Sequence, residues 1–159
     1  MGPRPGRPPW SAARLIYTGL GLGLSPKAPG TCGTLLGWPL FWLVGDEPWF
    51  VQAGLLALVF FVGWWAARRA EAELGVHDSP QVVIDETAGY LTTVFMAPNQ
   101  PATWILGFVL FRFFDILKPW PVSWADRRLP GGFGVMADDI LAGLYAFLVL
   151  RLALATGWF

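Results

Sequence analysis

The sequence contains an uncharged run at residues 49–67, WFVQAGLLALVFFVGWWAA, which is rich in Leu, Val, Phe and Trp. A helix needs about 20 consecutive apolar residues to cross the hydrocarbon core of a bilayer. This run therefore predicts a transmembrane helix. A soluble helical bundle that buries the run in its core is the alternative fold.

Three further apolar segments extend this interpretation. Residues 140–159 are interrupted only by Arg151, residues 31–45 are uncharged, and residues 87–111 are uncharged but contain Pro98 and Pro101. The two prolines predict a helical hairpin, whose first arm needs residues 82–86 to gain length. We therefore predict an all-α, polytopic membrane helical bundle with about five transmembrane helices. An interfacial N-terminal helix is expected at residues 10–22.

Composition agrees with a membrane setting. Of the 159 residues, 55% are hydrophobic and 14% are charged, which is too apolar for an ordinary soluble domain. Basic and acidic residues number 11 each, and no basic run is present, so we expect no nucleic-acid binding. The lone Cys32 excludes an internal disulfide. We assign residues 1–9 to a disordered tail and residues 10–159 to one helical membrane domain.

The distribution of charge predicts the orientation of the bundle. Four basic residues precede the first predicted span and place the N-terminus in the cytosol: Arg4, Arg7, Arg14 and Lys27. Five spans then put Asp46 and Glu47 outside and most other charges on the cytosolic side. We therefore expect a functional site on the cytosolic face.

Acidic residues recur at the predicted helix ends on this face. Carboxylates at the edge of hydrocarbon are costly unless a positive charge compensates them, and Mg²⁺ prefers carboxylate oxygens together with substrate phosphate. The alternative is that these residues are solvated charges that favour helix N-termini. The candidate catalytic residues and metal ligands are Asp85, Glu86, Asp115, Asp138 and Asp139.

Two segments offer groups that could bind a phosphate. Residues 24–34 form a glycine-containing entry to a helix, where free N–H groups attract anions; a plain connector with Thr31 as N-cap is the alternative. Arg112, Asp115 and Lys118 recur at i, i+3 and i+6 and could face one site, or form a neutral ion-pair ladder. The candidate phosphate-binding residues are Lys27, Thr31, Thr34, Arg112, Lys118 and Arg127.

Four motifs resemble those of the phosphatidylglycerophosphatase A family. They are residues 24–35 (LSPKAPGTCGTL), 83–89 (VIDETAG), 111–121 (FRFFDILKPWP) and 134–143 (GVMADDILAG), and the resemblance covers roughly residues 15–145. It implies a multi-pass enzyme of the bacterial inner (cytoplasmic) membrane. The implied reaction is the Mg²⁺-dependent conversion of phosphatidylglycerophosphate to phosphatidylglycerol.

The residues also narrow the mechanism. Cys32 lacks the downstream arginine of a cysteine phosphatase, His77 is the only histidine, and no Asp-x-Asp motif is present. Metal-assisted attack by water remains, and one carboxylate could instead act as base or nucleophile. The rival functions are a transporter component and a non-catalytic membrane protein that binds anionic lipid through Arg68, Arg69, Arg127 and Arg128.

Overall fold

The computed structural model describes residues 9–157, which contain helices and no β-strand in that range. The predicted all-α class is confirmed. Residues 1–8 of the predicted tail lie outside the described residues. The helices are α1 (Ala12–Tyr17), α2 (Pro29–Val44), α3 (Trp49–Leu74), α4 (Ile84–Thr93), α5 (Pro101–Leu117), α6 (Val122–Arg128) and α7 (Gly131–Ala155), with a 3-10 turn at Leu22–Leu24.

The central helix of the fold is α4. It contacts α2, α3, α5 and α7, and nine of its ten residues are buried. Glycines permit these close approaches, since a Cβ at Gly143 would overlap the Gly89 carbonyl and one at Gly37 would overlap the Tyr90 ring. Gly33 and Gly89 are packed as closely, since a Cβ at Gly33 would overlap the Val83 carbonyl oxygen and one at Gly89 would overlap the Phe111 ring.

Two helices are long and apolar enough to cross a membrane. They are α3, with 26 residues, and α7, with 25, which correspond to roughly 38 Å of helix each. The helices at the other three predicted spans are shorter: α2 has 16 residues, α4 has 10 and α5 has 17. The five-span arrangement therefore stays a prediction.

Two sequence-based boundaries are wrong. The sequence predicts Asp138 and Asp139 at the start of the last helix, but α7 begins at Gly131 and both residues lie inside it. Its start lies directly against α3, where a Cβ at Gly132 would overlap the backbone of Arg68. The interfacial helix expected at residues 10–22 is reduced to the six residues of α1, because Gly19 and Gly21 adopt positive φ angles of 54° and 98°.

The N-terminal region fixes the segment that leads into α4. The Tyr17 carbonyl accepts a hydrogen bond of 2.8 Å from the Val83 amide, and the Tyr17 hydroxyl donates to Glu73 at 3.2 Å. Gly23 packs against the Gln81 backbone, where a Cβ would overlap the carbonyl oxygen. Residues 78–82 are therefore held beside the N-terminus of α4.

Candidate active site

An acidic cavity of about 190 Å³ lies at the N-terminus of α4. It is bounded by the segment before α4, the end of α5 and the first half of α7. All five predicted acidic residues line it, although they are far apart in sequence. The lining residues are Asp78, Ser79, Pro80, Val82, Asp85, Glu86, Asp115, Lys118, Asp138 and Asp139.

Three of these carboxylates form a tight cluster. Asp85, Glu86 and Asp139 each offer one oxygen, and the three oxygens lie within 4.8 Å of one another. Asp85 and Asp139 are buried, and one oxygen of each of the three residues has no hydrogen-bond partner within the described chain. Buried like charges repel strongly and require compensation. The cluster therefore fits a divalent cation with hard oxygen ligands.

Lys118 bridges two further carboxylates. Its ammonium donates to Asp126 Oδ1 at 2.5 Å and to Asp138 Oδ2 at 2.8 Å. Burial lowers the pKa of Lys118, but these two hydrogen bonds outweigh burial and raise the pKa above its usual value. Because α5 ends at Leu117, Lys118 is its C-cap, with φ 44°.

Arg112 forms the second cationic contact of the site. Its Nη1 donates to Asp115 Oδ2 at 2.6 Å and lies 3.9 Å from Glu86 Oε1. The ion pair between Arg112 and Asp115 is the one that the ladder alternative predicts, but Lys118 pairs with Asp126 and Asp138 and does not continue the ladder. Gly30, in the first turn of α2, lies against both Glu86 and Arg112, since a Cβ there would contact both.

Of the predicted phosphate-binding residues, Lys118 lines the cavity and Arg112 contacts two of its acids from outside the lining. The other four do not line it: Lys27, Thr31, Thr34 and Arg127. Lys27 and Arg127 are exposed. Thr34 is buried and donates its hydroxyl to the Gly30 carbonyl at 2.9 Å. Thr31 lies within α2, whose N-cap is Ala28, so the alternative in which Thr31 caps the helix is wrong.

Comparison with known proteins identifies the family. The model of a family described as phosphatidylglycerophosphatase A matches residues 15–154. The chain belongs to this family. Membership makes it a phosphatase, and the resemblance seen in the four motifs is confirmed. No solved structure matches this chain.

Curated relatives are similar over most of their length. A protein of Escherichia coli named phosphatidylglycerophosphatase A is 39% identical over 86% of this chain and 78% of its own length. One of Haemophilus influenzae with the same name is 41% identical over 86% and 85%. A Bacteroides thetaiotaomicron protein, named as a candidate phosphatidylinositol-3-phosphatase, is 42% identical over 87% and 91%.

Three polar residues of the site were missed by the sequence analysis. Asp78 and Ser79 line the cavity, and Asp126 holds Lys118. Asp78 lies outside any helix and has φ 52°, so helical periodicity gives no indication of it. Asp126 was recognised only as a cytosolic charge, because Pro119 and Pro121 interrupt the spacing between it and Lys118.

The charge balance of the cavity is strongly negative. Among residues 9–157, six acidic residues and one basic residue line it. A phosphate monoester is itself an anion and would be repelled by this lining. A bound cation would offset part of that negative charge and reduce the repulsion.

Proposed function

We propose that this chain hydrolyses phosphatidylglycerophosphate to phosphatidylglycerol and phosphate, with Mg²⁺ held by Asp85, Glu86 and Asp139. The observation that carries the proposal is the cluster of three carboxylates, each of which places one oxygen within 4.8 Å of the others. Each of the three also has a buried oxygen with no hydrogen-bond partner within the described chain. Family membership supplies the substrate, since the relatives in E. coli and H. influenzae are named for this reaction. A divalent cation in the cluster would supply Lewis-acid neutralisation of the phosphoryl charge.

Lys118 and Arg112 would bind the phosphoryl oxygens in this scheme. An ammonium carries three donors, and Lys118 uses two of them for Asp126 and Asp138. Its third donor remains for the substrate. Arg112 has five N–H donors, of which Nη1 is directed to Asp115. Asp126 and Asp115 are thus positioning residues that hold the two cations at the rim of the cluster.

We assign the acceptance of the proton from the attacking water to Asp138. Its Oδ2 is bound to Lys118, whereas its buried Oδ1 has no partner within the described chain. A free carboxylate oxygen beside the phosphate site can act as a general base. A covalent role of the same carboxylate is the alternative, and trapping a phosphorylated protein by acid quench distinguishes the two.

We also propose that the enzyme is a multi-pass protein of the bacterial inner membrane, with the acidic cavity at the cytosolic leaflet. The two long apolar helices support insertion in a bilayer. The cavity is lined by Asp78, which follows the C-terminal end of α3, and by Asp138 and Asp139 in the N-terminal half of α7. Arg68 and Arg69 lie near that end of α3, and Arg127 and Arg128 lie just before α7. An excess of arginine marks the cytosolic side of membrane proteins.

The proposal is tested by Mg²⁺-dependent phosphate release from phosphatidylglycerophosphate in detergent micelles. Asp85→Asn, Asp115→Asn and Asp138→Asn are compared with Glu47→Gln, an exposed acid outside the cavity. We expect at least a hundredfold loss in the Asp85 and Asp138 variants and a smaller loss for Asp115. Near-normal turnover in all three variants would refute the assigned site.

The head group is tested in the same assay. The B. thetaiotaomicron relative is named for a phosphoinositide, so phosphatidylinositol 3-phosphate is the relevant competitor. We expect turnover of phosphatidylglycerophosphate to exceed that of the phosphoinositide, because the cavity of about 190 Å³ is small. Faster hydrolysis of the phosphoinositide would reassign the substrate while leaving the metal cluster intact.

A further inference from the structure

One face of α3 points away from the rest of the protein and changes from apolar to basic along its length. Leu58 is 59% exposed, Phe61 60% and Trp65 45%, and Arg68 and Arg69 are exposed one turn further on. The opposite face carries the small buried residues that pack against the bundle, including Gly63 and Ala66. We call this exposed face the α3 stripe; it comprises Leu58, Phe61, Trp65, Arg68, Arg69 and Ala72.

A shallow cavity of about 470 Å³ follows the lower part of the stripe. It is lined by Phe61, Trp64, Trp65, Arg68, Arg69 and Ala72, and it shares no residue with the acidic cavity. Within residues 9–157, Arg68 and Arg69 form no ion pair and no side-chain hydrogen bond. Their guanidinium groups are therefore available to an external anion.

We propose that the α3 stripe binds an anionic phospholipid at a site distinct from the catalytic cavity. The phosphate lies against Arg68 and Arg69, whose planar groups match phosphate oxygens in pairs. Trp65 lies at the level of the lipid glycerol, where tryptophan is enriched in membrane proteins. The acyl chain then follows Phe61 and Leu58, which lie roughly 10 and 15 Å above Arg68 at ~1.5 Å per residue, into the hydrocarbon.

A phospholipid fits this face better than a second copy of the chain. A two-fold axis along the membrane normal would bring Arg68 and Arg69 of both copies together, and the stripe contains no acidic residue to compensate them. Basic residues beside a membrane span instead attract anionic lipid. The order of residues, apolar then tryptophan then arginine, also matches the order of chain, glycerol and phosphate in a phospholipid.

The test is competition between two lipids for the purified full-length chain in detergent, measured by native mass spectrometry. The probes are phosphatidylserine, which is neither the substrate nor the product proposed here, and phosphatidylcholine with the same acyl chains. We expect the wild type to prefer phosphatidylserine. Arg68→Gln/Arg69→Gln should lower that preference about tenfold, since each juxtamembrane arginine contributes on the order of a few-fold or more.

Arg127→Gln/Arg128→Gln is the charge-matched control. These residues are also exposed but lie on α6 and do not line the stripe cavity. Because solvent and salt screen exposed charges that lie apart, their removal should leave the preference within about twofold in detergent. Arg68→Lys/Arg69→Lys keeps the charge but removes the planar guanidinium groups. Its preference for phosphatidylserine should lie between that of the wild type and that of Arg68→Gln/Arg69→Gln. Equal losses in the two Gln pairs, or no loss in either, would overturn the proposal.

Two further measurements keep the result interpretable. If Arg68→Gln/Arg69→Gln loses its helical circular dichroism, the single variant Arg69→Gln is measured in its place. Its preference for phosphatidylserine should be about threefold lower than that of the wild type. Self-association is examined by size-exclusion chromatography of the wild type and Phe61→Ala. If the wild type is a dimer and Phe61→Ala is a monomer, the α3 stripe binds a second copy of the chain and not a lipid, and the proposal is overturned.

Discussion

At the residue scale, Lys118 is the counter-charge of the half of the cavity that contains Asp138. The Asp138 side chain is 7% exposed and that of Lys118 is 29% exposed. Lys118→Met would retain the apolar stem but leave the Asp138 carboxylate buried without a cation. Breaking a buried ion pair costs about 3–5 kcal/mol, and partial exposure of Lys118 reduces this, so we expect a loss of about 2 kcal/mol in unfolding free energy, measured by denaturation in micelles.

A double variant separates the ion pair from the packing of the side chain. Lys118→Met/Asp138→Asn removes both charges of this pair and should recover about half of the stability lost in Lys118→Met. Asp138 then leaves no buried carboxylate without a cation, and Asp126, which is more exposed, is the carboxylate that loses its partner. Lys27→Met removes an exposed lysine that lines no part of the cavity and should change the unfolding free energy by less than about 0.5 kcal/mol. A loss in the double variant equal to that of Lys118→Met would contradict the ion-pair explanation.

Asp139 provides a test of the metal proposal that does not depend on activity. Without metal, Asp139→Asn removes one of three mutually repelling charges and should raise the melting temperature. With Mg²⁺ in hundredfold excess over its dissociation constant, the wild type should gain about 2.7 kcal/mol from binding, and Asp139→Asn should gain much less. Glu47→Gln should respond to Mg²⁺ as the wild type does. An Mg²⁺ response that is the same in wild type and Asp139→Asn would exclude Asp139 as a ligand.

At the element scale, the close approach of α4 and α7 brings the two acidic pairs together. A Cβ at Gly143 would overlap the Gly89 carbonyl and approach Thr92, and backbone atoms cannot rotate away. We expect Gly143→Ala to destabilise the fold by about 1–3 kcal/mol through overpacking. It should also lower phosphatase activity, because α7 carries Asp139.

Gly54→Ala is the matched control for this prediction. Gly54 is also inside a helix, but nothing lies within 4 Å of a Cβ placed there. Alanine favours a helix over glycine by up to about 1 kcal/mol, so Gly54→Ala should be neutral or stabilising. Equal destabilisation by both substitutions would show that a general effect of glycine replacement, and not the contact between α4 and α7, is responsible.

The helices show which features the sequence could predict. Helix α3 begins at Trp49 as expected, since Pro48 precedes the apolar run. Its predicted end at residue 67 marks the first charges, but arginines do not break a helix, and α3 continues to Gly75, where φ is 66°. Hydropathy thus locates the hydrocarbon-compatible part of a helix, while its end depends on a residue that can adopt a left-handed conformation.

The site was predictable where its residues occur in local patterns. Asp85, Glu86, Asp138 and Asp139 occur as adjacent pairs, and Arg112 and Asp115 share a helical face. The sequence could not predict which acids form the cluster of Asp85, Glu86 and Asp139 and which acid binds Lys118. That division depends on where α5 ends and on the direction of α6. Asp126 and Asp78 reach the site by such tertiary contacts alone.

At the scale of the whole molecule, α3 should place its two ends on opposite sides of the membrane. Glu47 lies just before α3 and is exposed, and His77 follows its end and is also exposed. Single cysteines at these positions, in a Cys32→Ser background, report their side through a membrane-impermeant maleimide. In intact spheroplasts we expect Glu47→Cys to be labelled and His77→Cys to be protected, because the acidic cavity and its arginines should face the cytosol.

Labelling after permeabilisation is the control, and both cysteines should then react. The result also bears on catalysis, since Asp78, which lines the acidic cavity, directly follows residue 77. Labelling of His77→Cys in intact spheroplasts would put the cavity on the outer surface, where a phosphate ester made in the cytosol could not reach it without prior translocation. Protection of both positions would instead indicate that α3 does not cross the bilayer. Of the two long apolar helices, α7 would then be the remaining candidate for a membrane span.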